Sequence, residues 1–230
     1  NAIFMNQADN FANRDAYSNT LAIELVDELK QIDEFYAAIG TGGSSCGTAI
    51  GLKRQNPNTK VNVIIDENGK NIVLINDIRF KTRRTINWDK VEAYLKEYIG
   101  KYYEILETSE KVYIGTDFPD EFCHSQDKIR LKGGNEKAKA NMITAIGELI
   151  RVATNKAVAE DFGNKHKSKA QQGWYRYDTR FGIPTYNSDG VLQQYNIYSA
   201  RMLVRCDENG KLYLYDLVRT KKETSSPPEQ

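Results

Sequence analysis

Hydrophobic and polar residues alternate along the chain with two different periods, which separate predicted helices from predicted strands. In residues 21–39 the apolar side chains recur every three or four positions, the spacing of one helix face. Two apolar runs flank Asn68-Gly69, a dipeptide that favours the tight turn of a β-hairpin. A second helical stripe covers residues 86–106. The first part of the chain is therefore predicted to contain a helix, a hairpin and a helix.

The second part combines one long helical pattern with three segments of strand spacing. Residues 136–162 place apolar side chains on one helix face. The alternating segments follow at 173–187, 191–206 and 211–222, with turns at Ser188-Asp189-Gly190 and Asn209-Gly210. This order predicts an α+β fold, in which a helix packs on an antiparallel β-meander after a small helix-hairpin-helix unit. The boundary is predicted near residues 107–110, which gives domains of 1–110 and 111–230.

A glycine-rich stretch, GTGGSSCGTAIG, occupies residues 40–51. Gly42 and Gly47 have the separation seen in a phosphate-binding P-loop, but Thr48 and Ala49 stand where that motif needs lysine and then serine or threonine. Because the lysine that reaches the terminal phosphates is missing, the motif does not support a P-loop. The composition favours a flexible connector instead.

The segment 173–184 has two chemically different faces if it forms a strand. Alternation places Tyr175, Tyr177, Thr179 and Phe181 on one face and Trp174, Arg176, Asp178 and Arg180 on the other. The first face suits a hydrophobic core. The second face is either solvated, with Asp178 paired to one of the two arginines, or it binds an anion. Both interpretations stay open at this point.

Composition and charge narrow the class of protein. The chain of 230 residues is 40% hydrophobic, and no apolar run approaches the roughly 20 residues that a membrane-spanning helix needs. The formal net charge is +1, but the chain from Lys111 onward holds 19 basic and 15 acidic side chains, against 13 and 16 before it. This surplus favours the second part if a polyanion is bound. Three widely spaced cysteines, Cys46, Cys123 and Cys206, indicate reduced thiols and a cytoplasmic protein.

Several common catalytic motifs are absent from the sequence. His124 and His166 are the only histidines, and neither lies in a zinc-binding pattern. G-x-S-x-G and the glycine fingerprint of dinucleotide-binding folds are missing too. The remaining cationic and phenolic side chains suit metal-independent RNA cleavage, because histidine can transfer the protons and arginine can bind the phosphate. We therefore expect neither a metal nor a cofactor.

The candidate site residues lie mainly before and along the predicted meander. The candidate catalytic residues are His166, Arg176, Arg180, Lys132 and Tyr177. The candidate substrate-binding residues are Lys165, Lys167, Tyr175, Tyr195, Ser199, Arg201 and His124. The cations are expected to stabilise the charged phosphorane while a histidine acts as general acid or base. A plainer interpretation treats the histidines and lysines as solvated loop residues and the tyrosines as core aromatics.

Several phrases of the second part resemble a known family. They are DFPDEF, LKGGNEKAKANM, KHKSKAQQGWYRYDTRFGIPTY and GKLYLYDLVRTKKE, all between Lys111 and Glu223. They are similar to the C-terminal nuclease-like domain of phage MuF-type head proteins and of the large polyvalent proteins of phages and conjugative elements. That domain is assigned to the barnase, EndoU, colicin and RelE group of metal-independent ribonucleases. The resemblance implies a helix on an antiparallel sheet and RNA as the substrate.

Together these observations predict a metal-independent endoribonuclease of phage or mobile-element origin, a toxin or anti-host effector in the cytoplasm of a bacterial host. The expected partners are RNA, either tRNA or messenger RNA, and an immunity or host defence protein, with no membrane partner. Two alternatives stay open: a non-catalytic module that binds nucleic acid or a host defence protein, and a structural phage protein with a tyrosine-rich interface. The final residues, TKKETSSPPEQ, suggest a piece of a longer polypeptide.

Overall fold

The computed structural model describes residues 11–32, 35, 37–38, 43–55, 63–65, 70–80, 85–159, 170–190 and 192–223. The chain separates into two compact units, Asn1–Asn76 and Asp77–Gln230. This division lies upstream of residues 107–110, where the sequence pattern placed it. Residues 106–109 form the turn between two paired strands of the second unit. No helix within the described ranges is long and apolar enough to cross a membrane.

The described residues of the first unit form three helices and three short strands. The helices are α1 (Phe11–Asn19), α2 (Leu21–Leu29) and α3 (Gly43–Gln55), and the strands are β1 (Ala37–Ala38), β2 (Val63–Ile65) and β3 (Asn71–Leu74). β1 runs parallel to β2, and β2 runs antiparallel to β3. The two strands of the predicted hairpin are thus confirmed, whereas its turn at Asn68-Gly69 lies outside the described residues.

The helix predicted over residues 21–39 is shorter in the structure. α2 ends at Leu29, because Lys30 takes a positive φ of 61° that cannot continue a right-handed helix. Ala37 and Ala38 belong to a strand instead. The apolar stripe of the sequence therefore runs through one helix and into the start of a strand.

The flexible connector predicted at residues 40–51 is wrong from Gly43 onward, because these residues begin α3. Three glycines at four-residue spacing share one face of this helix and pack against α1 and α2. A Cβ atom on Gly47 would lie 2.2 Å from the carbonyl oxygen of Arg14, and one on Gly51 would lie 2.3 Å from the Cβ atom of Ala22. The glycines therefore allow close helix packing, which a larger side chain would prevent.

The second unit contains most of the regular structure. Its helices are α4 (Trp88–Lys96), α5 (Phe118–His124), α6 (Gln126–Arg130), α7 (Gly133–Met142) and α8 (Ile146–Arg151), with a 3₁₀ turn at Ile143–Ala145. Its strands are β4 (Tyr102–Ile105), β5 (Glu110–Ile114), β6 (Thr154–Ala159), β7 (Gly173–Tyr186), β8 (Leu192–Cys206) and β9 (Leu212–Lys222). Asn87 caps α4, since its side chain accepts a hydrogen bond from the N–H of Lys90 at 3.0 Å.

The strands of the second unit form a mixed sheet, so the predicted fold class is wrong. The strand order is β7-β8-β9-β5-β4, and β6 pairs with β7. β7, β8 and β9 are antiparallel neighbours, as the alternation predicts, but β5 adds to β9 in the parallel direction. A barnase-like meander with one helix has no such strand. Gly190 and Gly210 take positive φ values at the two predicted turns, where glycine is favoured.

The long helix predicted over residues 136–162 is also wrong. The chain forms α7, the 3₁₀ turn and α8 in succession, and residues 154–159 then become β6, which pairs with β7. The alternation predicted for β7 is confirmed for Tyr177, Thr179 and Phe181, which are all buried. Tyr175, predicted on the same face, is half-buried. Trp174 departs from the pattern, because it lies on the polar face and is buried as well.

Candidate functional site

Two of the three arginines predicted on β7 and β8 pair with carboxylates. Arg180 forms a two-pronged pair with Glu223, in which Nε and Nη2 donate to the two carboxylate oxygens at 2.8 and 2.7 Å. Arg201 pairs across the strands with Asp178, with 3.6 Å between Nε and Oδ1. Asp178 is thus paired with an arginine of the neighbouring strand. Arg176 is exposed.

The two tyrosines predicted on β7 are held by neighbouring side chains. Tyr177 is buried, and its hydroxyl donates to a carboxylate oxygen of Glu110 at 2.9 Å. Burial and this carboxylate raise the pKa of Tyr177 well above its usual range. Lys156 pairs with Glu110 and places its ammonium group 4.2 Å from the centre of the Tyr175 ring. In these contacts both tyrosines interact with side chains of the protein itself.

The other predicted site residues are spread over different elements. Lys132 is exposed at the residue before α7, and exposed His124 lies 3.2 Å from a carboxylate oxygen of Glu92. The pairing of β7 with β8 brings Ser199 opposite Arg180 and Tyr195 opposite Pro184. Lys165, His166 and Lys167 lie outside the described residues. The structure thus brings Arg180 and Ser199 together.

A buried ion-pair cluster joins α6, α7 and β9, and the sequence pattern did not reveal it. The ammonium group of Lys139, which is 0% exposed, donates to Asp216 at 3.0 Å and to Asp127 at 3.2 Å. Burial raises the pKa of Asp216 to about 6, although Lys139 and Ser125 oppose the rise. The sequence contains one signal for the burial of Lys139: it precedes Met142 by three positions and therefore falls on the inward face of the helix. The cluster anchors α7 to the sheet.

A second unpredicted feature lies at the start of α3. The first backbone N–H groups of a helix have no partner within that helix, and its dipole is positive there. The first turn of α3 contains no acidic side chain, while Lys53 and Arg54 lie in its last turn. Ser45 is 4% exposed, and its hydroxyl has no hydrogen-bond partner among the described residues. A buried hydroxyl without a partner is unfavourable, so this one is available to a ligand.

The geometry of this turn suits an anion. The Cα–Cβ bonds of a helix tilt toward its N-terminus, so the side chain of Ser45 leans toward the first turn of α3. Gly43 has no Cβ atom, and the amide of Asn13 from α1 occupies the space that a Cβ atom would take. Such a helix start binds phosphate or carboxylate groups. The signal in the sequence is the glycine-rich stretch 40–51, which lacks the P-loop lysine and yet begins a helix at Gly43.

No group of three or more histidine, cysteine, aspartate or glutamate side chains in the described part of the chain is arranged to hold a metal ion. Cys123 and Cys206 are free and buried, and burial raises the pKa of the Cys123 thiol to about 12. Neither thiol is therefore a reactive nucleophile at neutral pH.

Comparison with known proteins connects the first part of the chain to cofactor-dependent enzymes. Residues 1–99 match the family model described as pyridoxal-phosphate dependent enzyme. A putative cysteine synthase of Sinorhizobium fredii (strain NBRC 101917 / NGR234) is 51% identical over 57 residues, which is 24% of this chain and 17% of that protein. A cysteine synthase of Dictyostelium discoideum is 40% identical over 72 residues, or 31% of this chain and 19% of that protein. No solved structure matches the chain.

These matches correct the function predicted from the sequence. The resemblance to a phage nuclease-like domain, the endoribonuclease activity and the toxin or phage role are wrong, because the matched family and both relatives are enzymes of another kind. The expectation of a cofactor-free reaction depended on the ribonuclease and is withdrawn with it. The chain spans less than a fifth of the length of either curated relative. The positions assigned as site residues, and RNA or an immunity protein as partners, are tested by none of these matches.

Proposed function

We propose that the first unit contributes to a pyridoxal-phosphate-dependent enzyme and that the start of α3 holds the phosphate of the cofactor. The observation that carries this proposal is the buried hydroxyl of Ser45, which has no partner among the described residues and lies in the first turn of a helix within the matched range. A phosphate oxygen placed at this turn would accept a hydrogen bond from that hydroxyl. It would also face the unpaired backbone N–H groups of the turn.

The charge distribution along α3 supports this orientation. A helix dipole places about half a positive charge at the N-terminus, and phosphate carries one to two negative charges at neutral pH. Lys53 and Arg54 complement the opposite, negative end. Hydrogen bonds to a charged acceptor are stronger than neutral ones, each contributing on the order of 1.5–3 kcal/mol. A phosphate is therefore favoured here over a neutral group of the same size.

Pyridoxal phosphate supplies an electron sink when it is bound, and such enzymes hold it through a lysine. Lys53 has a pKa lowered by burial, which would suit a nucleophilic amine. It lies ten residues after Gly43 on the same helix, however, or about 15 Å along the axis. Lys53 therefore does not belong to the phosphate-binding turn, and the role proposed for the described part of the first unit is limited to binding the phosphate.

The reaction class follows from the relatives. Because both are named cysteine synthases, we infer a reaction on an amino acid that ends in formation of cysteine. The cytoplasm is the inferred location, in line with the free thiols of Cys123 and Cys206.

Equilibrium dialysis of the purified chain against pyridoxal phosphate, pyridoxal and inorganic phosphate tests the cofactor site. We expect pyridoxal phosphate to bind more tightly than pyridoxal, and phosphate to compete. Ser45→Ala should weaken pyridoxal phosphate about tenfold, which corresponds to one hydrogen bond of about 1.4 kcal/mol. Ser188→Ala is the control, since Ser188 is exposed and lies outside the matched residues 1–99. Equal binding of the two vitamers, or none, would contradict the proposal.

A further inference from the structure

We infer that Asn13 of α1 positions the phosphate at the start of α3 and makes this site favour a phosphate group over an uncharged one. The inference rests on the proposed function and adds a residue from a second helix to the site. Asn13 lies near the beginning of α1 and is half-buried. It is separated from α3 by thirty residues of sequence, so only the packing of the two helices brings it there.

The contact between Asn13 and Gly43 is close enough to define the amide position. A Cβ atom on Gly43 would lie 2.4 Å from Nδ2 and 3.0 Å from Cγ of Asn13. Any larger residue at position 43 would therefore displace this amide. The amide of Asn13 makes no hydrogen bond to another residue in the described part of the chain. Among the described residues it is thus a donor without an acceptor, next to N–H groups that have no partner within their own helix.

Packing of the two helices fixes this arrangement along their length. Asn13 meets Gly43, the Arg14 carbonyl oxygen meets Gly47, and Ser18 meets Gly51, so α1 and α3 run in the same direction. At the far end, Arg54 donates to Asn19 at 3.4 Å. The donor at position 13 is therefore placed by a rigid helix pair.

The chemistry of the amide explains why it would select phosphate. Nδ2 can donate two hydrogen bonds and carries no charge, so it can bind a phosphate oxygen without adding a negative charge beside the positive end of the helix dipole. A carboxylate of nearly the same shape would accept only, and it would repel the anion. The amide would thus add a donor from α1 to the backbone N–H groups at the start of α3.

Asn13→Asp and Asn13→Ala test this role in the full chain, with dissociation constants for pyridoxal phosphate, pyridoxal and inorganic phosphate measured by equilibrium dialysis. Asn19→Asp is the control, because it makes the same change in the same helix, about 9 Å farther along the axis. We expect Asn13→Ala to weaken pyridoxal phosphate about tenfold and Asn13→Asp to weaken it more, while pyridoxal binding and thermal unfolding stay close to wild type.

The outcomes separate this inference from the proposed function. If the wild type binds pyridoxal phosphate and the Asn13 variants bind it equally well, the role of Asn13 is overturned and the proposed function stands. If the variants lose pyridoxal and pyridoxal phosphate alike, Asn13 supports the fold and does not select phosphate. If the wild type binds neither pyridoxal phosphate nor phosphate, both are overturned. Gly43→Ala adds a check, since its Cβ atom would displace the amide and should reproduce the loss in Asn13→Ala.

Discussion

Replacing Lys139 by methionine should strongly destabilise the second unit. The substitution keeps the unbranched apolar stem of the side chain and removes the ammonium group that lies 3.0 Å from Asp216 and 3.2 Å from Asp127. Asp216 is buried, so without its cation it would either keep an uncompensated charge or take up a proton, and both cost stability at neutral pH. Removing one partner of a buried ion pair costs about 3–5 kcal/mol, because the remaining charge stays desolvated. Lys137→Met is the control, since Lys137 is exposed on the same helix and should change stability by less than about 0.5 kcal/mol.

Tryptophan fluorescence during urea unfolding isolates the second unit. The chain has two tryptophans, Trp88 and Trp174, and both lie buried in that unit. With a urea slope of about 2 kcal/mol per molar, the expected loss lowers the unfolding midpoint by about 2 M. Adding Asp216→Asn to Lys139→Met should recover most of the loss, because the amide keeps an oxygen to accept from the N–H of Leu217 and needs no counterion.

The pH dependence of the stability loss in Lys139→Met shows whether the loss comes from the charge of Asp216 or from side-chain packing. The folded-state pKa of Asp216 is about 6, above its ordinary value of 3.8, so the folded protein holds a proton on this group that the unfolded chain has lost. The contribution of Asp216 to the free energy of unfolding therefore falls as pH rises from about 4 to about 6, by about 3 kcal/mol in all. Without Lys139 the pKa of Asp216 should rise further, so the deficit of Lys139→Met should be small at pH 5 and full at pH 8. A deficit that is the same at both pH values, or equal to that of Lys137→Met, would refute the reasoning.

Three further substitutions test the packing and the candidate site. Gly47→Ala should lower the free energy of unfolding by about 1–3 kcal/mol in thermal unfolding followed by circular dichroism, because its Cβ atom would lie 2.2 Å from a backbone oxygen of α1. Gly134→Ala in α7 is the control and should stabilise its helix, because the nearest atom to its Cβ position is 3.5 Å away. A Gly47→Ala protein as stable as the wild type would contradict the close packing. Ser45→Ala should raise the thermal stability of the ligand-free protein by about 1 kcal/mol while weakening pyridoxal phosphate, since it removes a buried hydroxyl without a partner; a loss of stability would mean that the hydroxyl is satisfied. Tyr177→Phe should cost about 1–2 kcal/mol in urea unfolding by removing the hydrogen bond to Glu110, and no change would show that water replaces it.

Local patterns in the sequence were sufficient for the elements whose environment repeats with a simple period. The apolar face of β7 and the turns at Gly190 and Gly210 form as predicted, because strand alternation and positive φ depend on neighbouring residues. The strands around Asn68-Gly69 follow for the same reason. These features needed no knowledge of what the elements pack against.

The functional interpretation failed because it depended on the same local patterns. Arginines on a strand face are equally consistent with a phosphate site and with ion pairs, and only the register of β7, β8 and the end of β9 reveals Glu223 opposite Arg180. The glycine-rich stretch is likewise compatible with a loop or a closely packed helix. The approach of α1 and α2 decides for the helix, since contacts with Arg14 and Ala22 require glycine at positions 47 and 51.

What the sequence determined by itself is therefore the position of apolar faces and turns, and what the tertiary structure decided is which distant residues meet. The parallel pairing of β5 with β9 joins residues about a hundred positions apart, and Lys139 meets Asp216 across 77 positions. Such contacts arise when apolar surfaces are buried together, which brings charged groups into proximity that no local period specifies. The candidate site at α3 has the same origin, because Asn13 meets Gly43 only when α1 packs against α3.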